Sequence, residues 1–260
     1  MEIDRKKELN SIKQLKMTDN SFVAFDMDNT LLINDIGESV FALFQHRYQN
    51  ELKEKIYSWN QYIKDSKKKA TQYFAFTECM RIMNGFSYSI LENLTNEIIE
   101  RGIKNTGNDD YIKISDPKIP IPKRNETMYS IVKYLQSKQI DIYVITASNE
   151  LSAQIVCEKL FNIPKKFVIG GKIEITEENK LMFNEEALYP YAEGKLKAIK
   201  HIHGLKKPII TAGDSLWDFK MLNHTKSNGL ILWLGNELNL NKLNELVDNK
   251  KIEIIDVNLD

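Results

Sequence analysis

The sequence predicts an α/β fold of the doubly wound, Rossmann-like type, in which helices cover both faces of a mostly parallel sheet. Short apolar runs recur along the chain, segments of helical periodicity separate them, and one aromatic-rich stretch interrupts this alternation after the first run. Strands that alternate with helices form parallel sheets, because each return to the sheet needs a crossover. The interruption predicts an inserted helical unit.

The individual elements follow from periodicity. Short, mostly apolar runs are typical of buried strands, and they predict strands at 21–25, 140–145, 208–212, 230–234 and 252–257. Helical spacing between them predicts helices at about 125–137, 150–161, 193–203, 217–224 and 237–249. Two shorter runs on either side of a polar turn predict a hairpin appended to the sheet, at 172–176 and 180–183.

The stretch after the first strand shows helical spacing, many aromatic residues and no convincing strand. Pro117, Pro120 and Pro122 mark its end, because proline cannot continue a helix. The predicted division of the chain is a peripheral helix at 1–17, a core made of 18–36 and 120–260, and an all-helical insertion at 37–119.

Composition restricts the possible partners. The 260 residues are 42% hydrophobic and 28% charged, which is ordinary for a soluble globular protein. The 36 basic residues balance 36 acidic ones, which argues against nucleic acid or an anionic membrane as a partner. The N-terminus lacks an apolar signal segment, and no run is long enough to span a membrane, so a cytoplasmic location is expected. The expected oligomeric state is a monomer or a homodimer.

Polar residues stand directly after the first three apolar runs of the predicted sheet. Asp26 and Asp28 follow the first run, Thr146 follows the second, and Asp214 follows the third, with Asp218 close behind. Ligands bind at the carboxyl ends of strands in open parallel sheets, so these groups are expected to share one cleft. Each also has a simple structural interpretation, such as a helix cap for Thr146 or Asp214.

The spacing of Asp26 and Asp28 is harder to explain by packing alone. Residues i and i+2 of a strand point the same way, so both carboxylates would converge at one strand end. Two like charges about 4 Å apart repel by roughly 4 kcal/mol at an effective dielectric near 20, and Asp214 would add to this repulsion. The pattern therefore requires a metal ion, a retained proton or a lysine such as Lys195, which begins the helix before the third strand.

Phosphoryl transfer would use each of these groups. A carboxylate can act as the nucleophile, and a second carboxyl group can protonate the leaving oxygen and then activate water. The transferred group carries spread negative charge that cations neutralise. Carboxylate oxygens suit Mg²⁺, which is the expected cofactor.

Residues 25–32, with the sequence FDMDNTLL, resemble the first motif of the haloacid dehalogenase-like hydrolases. The segments around Thr146, Lys195 and Asp214 match the later motifs of that superfamily in the same order. The resemblance covers nearly the whole chain outside the insertion. It implies a magnesium-dependent phosphatase that forms an aspartyl-phosphate intermediate with a small phosphorylated metabolite as substrate.

The same resemblance implies a role for each matching residue. Asp26 would be the nucleophile and a metal ligand. Asp28 would be the general acid and base, and its main-chain carbonyl would also contact the metal. Thr146 and the backbone N–H of Ala147 would hold the phosphate oxygens, while Lys195 would neutralise the nucleophile and the phosphoryl group.

The metal site and the lysine leave alternatives open. Asp214 would complete the metal site, and Asp218 would be either an outer metal ligand or the partner of Lys195. Lys197 lies close to Lys195 in sequence. Lys195 is preferred because it follows Gly194, as in related sequences.

Asp28 also bears on the type of reaction. Relatives that only dehalogenate, or that store aspartyl-phosphate as transport ATPases do, lack an acid at this position, so its presence favours rapid turnover of phosphate esters. Mutases share both aspartates and stay an alternative. A catalytically idle binding protein is another, although the acidic and lysine positions are all retained.

The insertion resembles the helical cap of the phosphoserine phosphatase-like branch. In that branch, an acidic residue nine positions after the nucleophile helps to bind the substrate amine. Asp35 occupies this position, and Glu38 is a second candidate one helical turn further on. A cap arginine there grips the substrate carboxylate; Arg81 lies about two residues out of register with it, and Arg47 matches less well.

The cap is rich in aromatic residues, most of which are expected to pack its helices. Some are predicted to form an aromatic box beside Asp35 for a cationic head group. The candidates are Phe41, Phe44, Trp59, Tyr73, Phe74, Phe76, Phe86 and Tyr88. Acidic and aromatic residues without a well-placed arginine favour an amino-alcohol phosphate, such as phosphocholine or phosphoethanolamine. The alternative is a phosphoserine phosphatase that uses Arg81.

Overall fold

The computed structural model describes residues 6–52, 57–104, 111–112, 118–247 and 251–255. Its strands, in chain order, are β1 (Phe22–Phe25), β2 (Leu32–Ile33), β3 (Tyr111–Ile112), β4 (Ile119–Pro120), β5 (Lys123–Arg124), β6 (Asp141–Asn149), β7 (Val168–Gly171), β8 (Ile173–Ile175), β9 (Leu181–Phe183), β10 (Ile210–Gly213), β11 (Leu230–Trp233) and β12 (Lys251–Ile254).

The helices of the same residues are α1 (Lys6–Lys13), α2 (Ile36–Tyr48), α3 (Trp59–Ser66), α4 (Gln72–Arg81), α5 (Tyr88–Lys104), α6 (Glu126–Ser137), α7 (Glu150–Phe161), α8 (Glu193–His203), α9 (Phe219–Asn223) and α10 (Glu237–Leu246). Short helical turns lie at Met27–Leu31, Lys165–Phe167 and Leu216–Asp218. None of the helices described is both long enough and apolar enough to cross a bilayer.

A six-stranded sheet in the order β12-β11-β10-β1-β6-β7 forms the core, and all its strand pairs are parallel. Alternate residues of the central strand β1 face opposite sides. Val23 and Phe25 pack in the hydrophobic cluster that contains Val132 of α6, while Phe22 and Ala24 pack in the cluster that contains α8 and α9 side chains. Helices on both faces of a parallel sheet confirm the predicted doubly wound α/β fold.

Asparagine caps place two helices directly behind strands and turns of the core. The Asn125 side chain accepts hydrogen bonds from the backbone N–H groups of Thr127 and Met128 at the start of α6. The Asn149 side chain accepts one from the Ser152 N–H at 2.8 Å, so β6 runs into α7 without a loop. Such caps satisfy N–H groups that the first helical turn cannot pair internally. The residues just before Asn149 are thereby held at the end of β6.

Several predicted elements need correction. Strand β7 was not predicted, because Gly170 and Gly171 interrupt the apolar pattern that signals a strand. The segment predicted as one helix at 217–224 is a 3₁₀ turn followed by the short helix α9. Helix α10 ends at Leu246, and residues 248 and 249 of the predicted helix lie outside the described residues. The last two residues of the strand predicted at 252–257 also lie outside them.

The insertion after β1 contains helices α2 to α5, as expected for the predicted helical insertion, together with one two-residue strand that the sequence did not predict. Strand β3 lies within residues 37–119 and pairs antiparallel with β4. Two-residue strands of this kind carry no readable apolar alternation, which explains why the sequence pattern missed them. Towards the N-terminus, α1 occupies part of the helix predicted at 1–17, with Ile12 fully buried and residues 1–5 outside the described part.

The predicted hairpin is present as β8 and β9, which pair antiparallel as a sheet of their own. It joins the inserted helices rather than the main sheet. The Gly85 N–H donates to the Leu181 carbonyl at 2.9 Å, and the Leu181 N–H donates to the Phe86 carbonyl at 2.8 Å. The Tyr88 N–H donates to the Asn179 carbonyl at 3.0 Å. Backbone hydrogen bonds therefore connect the turn between α4 and α5 to the hairpin that follows β7.

Candidate active site

The polar residues predicted at the strand ends do gather in one cleft. A cavity of about 200 Å³ lies between the carboxyl ends of the central strands and the inserted helices. Asp26, Thr146 and Asp214, from the ends of β1, β6 and β10, line its floor together with Lys195 of α8. The neighbouring positions of these strands in the sheet explain why residues so far apart in sequence meet here.

Lys195 forms a buried ion-pair cluster with two aspartates. Its Nζ lies 2.6 Å from Asp26 Oδ1 and 2.5 Å from Asp218 Oδ1, and all three side chains are almost fully buried. Burial favours the neutral amine, but the charges of Asp218 and Asp26 outweigh it and raise the pKa of Lys195. Burial raises the pKa of Asp26 to about 7, although Lys195 opposes that shift. The lysine is therefore held charged beside the carboxylate at the end of β1.

A glycine lets helix α8, which carries Lys195, lie close to the backbone of Tyr189. A Cβ atom at Gly194 would lie only 2.0 Å from the Tyr189 carbonyl oxygen, so any other residue would displace the start of α8. Lys197 is exposed two positions further along the same helix. Of the two lysines considered from the sequence, Lys195 is thus the one whose amine lies against Asp26.

Three carboxylates meet beside this lysine. Oxygen atoms of Asp26, Asp214 and Asp218 all lie within 4.8 Å of one another. Burial, followed by the charges of Asp218 and Asp26, raises the pKa of Asp214 well above its ordinary value, and Lys195 opposes the shift only in part. With all three carboxylates ionised, the cluster would carry more negative charge than one lysine neutralises. Hard carboxylate oxygens at this separation fit a small divalent cation such as Mg²⁺.

Asp28 stands apart from that cluster and is held by three donors. The Ile36 N–H donates to Oδ1 at 2.9 Å, and the hydroxyl groups of Thr146 and Ser148 donate to Oδ2 at 3.0 and 2.7 Å. Burial, followed by the charge of Asp35, raises the pKa of Asp28 to about 7, against the effect of these hydrogen bonds. A carboxyl group of this pKa is suited to give and take a proton near neutral pH.

Thr146 and Ala147 line the cavity, and the Thr146 hydroxyl and the Ala147 carbonyl already have protein partners. Besides donating to Asp28, the Thr146 hydroxyl accepts a hydrogen bond from the Ser148 N–H at 3.0 Å. The Ala147 carbonyl accepts one from the Tyr189 hydroxyl at 2.8 Å. Ser148 was not among the residues predicted from the sequence. Its position two residues after Thr146, on the same side of the strand end, was the signal available.

Asp35 and Glu38 face the cavity from the first turn of α2. Asp35 Oδ1 accepts a hydrogen bond from the Glu38 N–H at 2.8 Å and so caps the helix. The Tyr62 hydroxyl donates to Glu38 Oε1 at 2.9 Å. Burial, followed by the neighbouring Glu38 charge, raises the pKa of Asp35 to about 8, and burial also raises the pKa of Glu38. The two acids therefore lie next to each other. Among the contacts of the described residues, neither has a basic partner within hydrogen-bonding distance.

Arg81 does not reach the cleft. Its guanidinium pairs with Glu78 and, at 2.7 Å, with Glu185 Oε1. It lines a separate depression of about 100 Å³ beside the hairpin. Arg81 lies in the last turn of α4, on the side that faces the residues after β9. Sequence spacing alone does not show which side of the helix faces the cleft. Arg47 is also paired elsewhere, with Glu97 at 2.7 Å.

The aromatic side chains around the cavity differ from those predicted. Of the eight predicted candidates, Phe76 alone is among the described residues that line it. Phe41, Phe44 and Trp59 are buried in the core, and Tyr73 and Phe74 are about half exposed. Phe86 and Tyr88 pack against the core cluster.

The aromatic residues that do line the cavity with Phe76 are Tyr62, Tyr191 and Trp217. The ring centroid of Tyr191 lies 5.6 Å from that of Phe76 and 5.2 Å from that of Trp217. Tyr191 and Trp217 lie outside the insertion, beside α8 and β10, so the aromatic pattern of the insertion does not predict them. Their sequence proximity to Lys195 and Asp214 was the available signal.

Solved structures share this fold at low sequence identity. A protein of unknown function from Bordetella pertussis Tohama I superposes with a TM-score of 0.62, at 15% identity, covering 92% of this chain and 100% of the other. A conserved protein of unknown function from Anaerococcus prevotii DSM 20548 gives a TM-score of 0.59, at 16% identity, covering 89% and 84%. A phospho-aspartyl intermediate analogue of phosphoserine phosphatase gives 0.54, at 14% identity, covering 90% and 92%.

No curated protein sequence matches this chain significantly. A family model described as hydrolase, haloacid dehalogenase-like hydrolase, matches residues 21–224, which include every residue of the aspartate–lysine cluster. The match spans most of the chain and agrees with the doubly wound sheet and with the strand-end carboxylates. The chain therefore belongs to the haloacid dehalogenase-like hydrolases.

Proposed function

We propose that this protein is a magnesium-dependent phosphatase that hydrolyses a small phosphate monoester through an aspartyl-phosphate formed on Asp26. The observation that carries this proposal is the cluster in which Lys195 contacts Asp26 at the floor of the cavity, with Asp214 and Asp218 beside it. The family of the chain supports it. The similar fold of a phosphoserine phosphatase studied as a phospho-aspartyl analogue is consistent with the same chemistry.

The first half of the reaction would use Asp26 and Asp28. A carboxylate oxygen of Asp26 forms a bond to phosphorus while the bond from phosphorus to the ester oxygen breaks. Protonated Asp28 gives its proton to that departing oxygen, which leaves as an alcohol. Lys195 neutralises charge on Asp26 and on the phosphoryl group, and Thr146 with the Ala147 N–H holds phosphoryl oxygens.

The second half would restore the enzyme. Asp28, now ionised, takes a proton from a water molecule, whose oxygen attacks the phosphorus of the aspartyl-phosphate. The bond from phosphorus to Asp26 breaks, and inorganic phosphate leaves. A bound Mg²⁺, held by Asp26 and Asp214 with Asp218 close by and the main-chain carbonyl of Asp28 as a further ligand, would neutralise phosphoryl charge throughout.

Removal of divalent metal is expected to lower hydrolysis of an aryl phosphate at least about a hundredfold, since a metal ion supplies several kcal/mol of charge stabilisation. The assay compares protein treated with EDTA before and after addition of Mg²⁺. Mg²⁺ should also raise the melting temperature, because a ligand that binds the native state stabilises it.

Asp214→Asn tests the assignment of the metal site. This variant should need roughly tenfold more Mg²⁺ for half-maximal activity, a change of about 1.4 kcal/mol in binding. It should also lose most of the Mg²⁺-dependent rise in melting temperature. Asp19→Asn is the control, because Asp19 is exposed outside the cleft. Full activity after thorough metal removal would contradict the proposed cofactor.

The substrate class that we propose is an amino-alcohol phosphate, such as phosphocholine or phosphoethanolamine. Lys195 is the one basic residue among the described residues that line the cavity, and it is already paired with aspartates. Asp35 and Glu38 line the same cavity as the aromatic rings of Phe76 and Tyr191, and a bound cation would favour the ionised form of both acids. A cation is attracted by both kinds of group. The position of Arg81 outside the cavity removes the feature that favoured phosphoserine.

We expect amino-alcohol phosphates to be hydrolysed with a kcat/KM at least about tenfold above that of L-phosphoserine, because the serine carboxylate would be buried beside Asp35 and Glu38 without a basic partner there. Glu38→Gln should raise KM for phosphocholine and phosphoethanolamine by a similar factor. It should leave the aryl phosphate, which has no cation, nearly unchanged. A strong preference of the wild type for L-phosphoserine would exclude the amino-alcohol proposal.

A further inference from the structure

The Thr146 hydroxyl cannot donate a hydrogen bond to Asp28 and to a phosphoryl oxygen at the same time. In this structure it donates its single proton to Asp28 Oδ2 at 3.0 Å. In the proposed reaction the same hydroxyl donates to a phosphoryl oxygen. A threonine hydroxyl carries one proton, so binding of the phosphoryl group takes this hydrogen bond away from Asp28.

Ser148 makes the shorter of the two hydroxyl contacts to the same oxygen. Its Oγ lies 2.7 Å from Asp28 Oδ2, within the range of a charge-assisted hydrogen bond. This hydroxyl lies against Gly37 of α2, where a Cβ atom would fall only 2.5 Å from Ser148 Oγ. Gly37 therefore leaves the space in which the serine hydroxyl sits between α2 and Asp28.

We infer that Ser148 is the positioning residue for Asp28: its hydroxyl keeps the carboxyl group oriented when the Thr146 hydroxyl turns to the phosphoryl group. The lone pair of Asp28 Oδ2 that no longer accepts a hydrogen bond from Thr146 then lies next to the phosphoryl group, because the Thr146 hydroxyl can reach both Oδ2 and a phosphoryl oxygen. That position is available for the proton that Asp28 gives to the ester oxygen. Ser148 acts through Asp28 and needs no contact with the substrate. This inference rests on the proposed function.

Ser148→Ala should lower kcat/KM for an alkyl phosphate, such as phosphoethanolamine, by about ten- to a hundredfold, as expected for the loss of a hydrogen bond to a charged group. For p-nitrophenyl phosphate, kcat/KM should change less than about threefold, because this leaving group needs no proton. Its kcat should still fall and phosphoenzyme should accumulate in acid-quenched samples, since Asp28 also activates water. A merely structural role would lower kcat/KM for both substrates alike.

Two further variants test the same inference. In an Asp28→Asn background, Ser148→Ala should have no additional effect on either substrate, because the two residues act as one unit. Gly37→Ala should reproduce the pattern of Ser148→Ala, since its Cβ displaces the serine hydroxyl. Ser130→Ala is the control: the Ser130 hydroxyl donates to the Glu126 carbonyl in an exposed hydrogen bond within α6.

The outcomes separate this inference from the proposed function. If the wild type does not hydrolyse p-nitrophenyl phosphate with Mg²⁺, or if Asp26→Asn is fully active, the proposed function fails. If the wild type and Asp26→Asn behave as proposed, but Ser148→Ala leaves both substrates unchanged or slows kcat/KM for both equally, the role of Ser148 is overturned. Additive effects of Asp28→Asn and Ser148→Ala would overturn it as well.

Discussion

Asp26→Asn is expected to lower kcat/KM for phosphate esters by about 10⁴-fold or more, to the level of the uncatalysed background. The neutral amide of asparagine cannot attack phosphorus, whereas a carboxylate can. The change preserves the shape of the side chain, and Lys195 keeps its contact with Asp218. Because burial already raises the pKa of Asp26, a neutral group at this position should be tolerated by the fold.

The measurement for Asp26→Asn combines turnover with chemical trapping. Wild-type protein quenched in acid during hydrolysis of a radiolabelled phosphate ester should carry covalent label, and the variant should carry none. Asp19→Asn makes the same chemical change at an exposed position and should keep full activity. Turnover by Asp26→Asn within tenfold of the wild type would exclude Asp26 as the nucleophile.

The core of the fold could be predicted because each central strand carries its own signal. Residues 22–25 and 142–145 are continuous apolar stretches followed at once by polar residues, and both lie in neighbouring strands of the sheet. Strand β7 was missed because two of its four residues are glycines. Burial on both faces produces an apolar run only where side chains are present to be buried.

The floor of the site could be predicted for a topological reason. Parallel strands end at one edge of the sheet, so Asp26 and Asp214 had to be close once β1 and β10 were neighbours. The walls depend on how separate helices and loops face each other, which local patterns do not encode. Sequence spacing therefore makes Arg81 a candidate for the cleft although it pairs with Glu185, and it does not predict Tyr191 and Trp217 in the cavity wall.

Lys195→Met is the variant in which activity and stability should fall together. Methionine fills a similar volume but leaves Asp26 and Asp218 buried without their cation. Breaking a buried ion pair costs roughly 3–5 kcal/mol, which corresponds to a fall of about 10 °C in melting temperature for a chain of this size. Turnover per folded molecule should fall by about 10²- to 10³-fold, because a preorganised charge at the phosphoryl group is lost.

Lys197→Met provides the matched comparison, since the same substitution two residues away falls on an exposed part of α8. It should leave both the melting temperature and kcat/KM nearly unchanged. Mg²⁺ should restore part of the stability lost in Lys195→Met, because a divalent cation neutralises the same carboxylates that the lysine faced. It should not restore turnover to the same extent, since one Mg²⁺ ion cannot occupy its own site and also the position of the Lys195 amine. Equal losses in the two variants would instead mean that Lys195 acts only as a general positive charge, and that its contact with Asp26 has no specific role in the reaction.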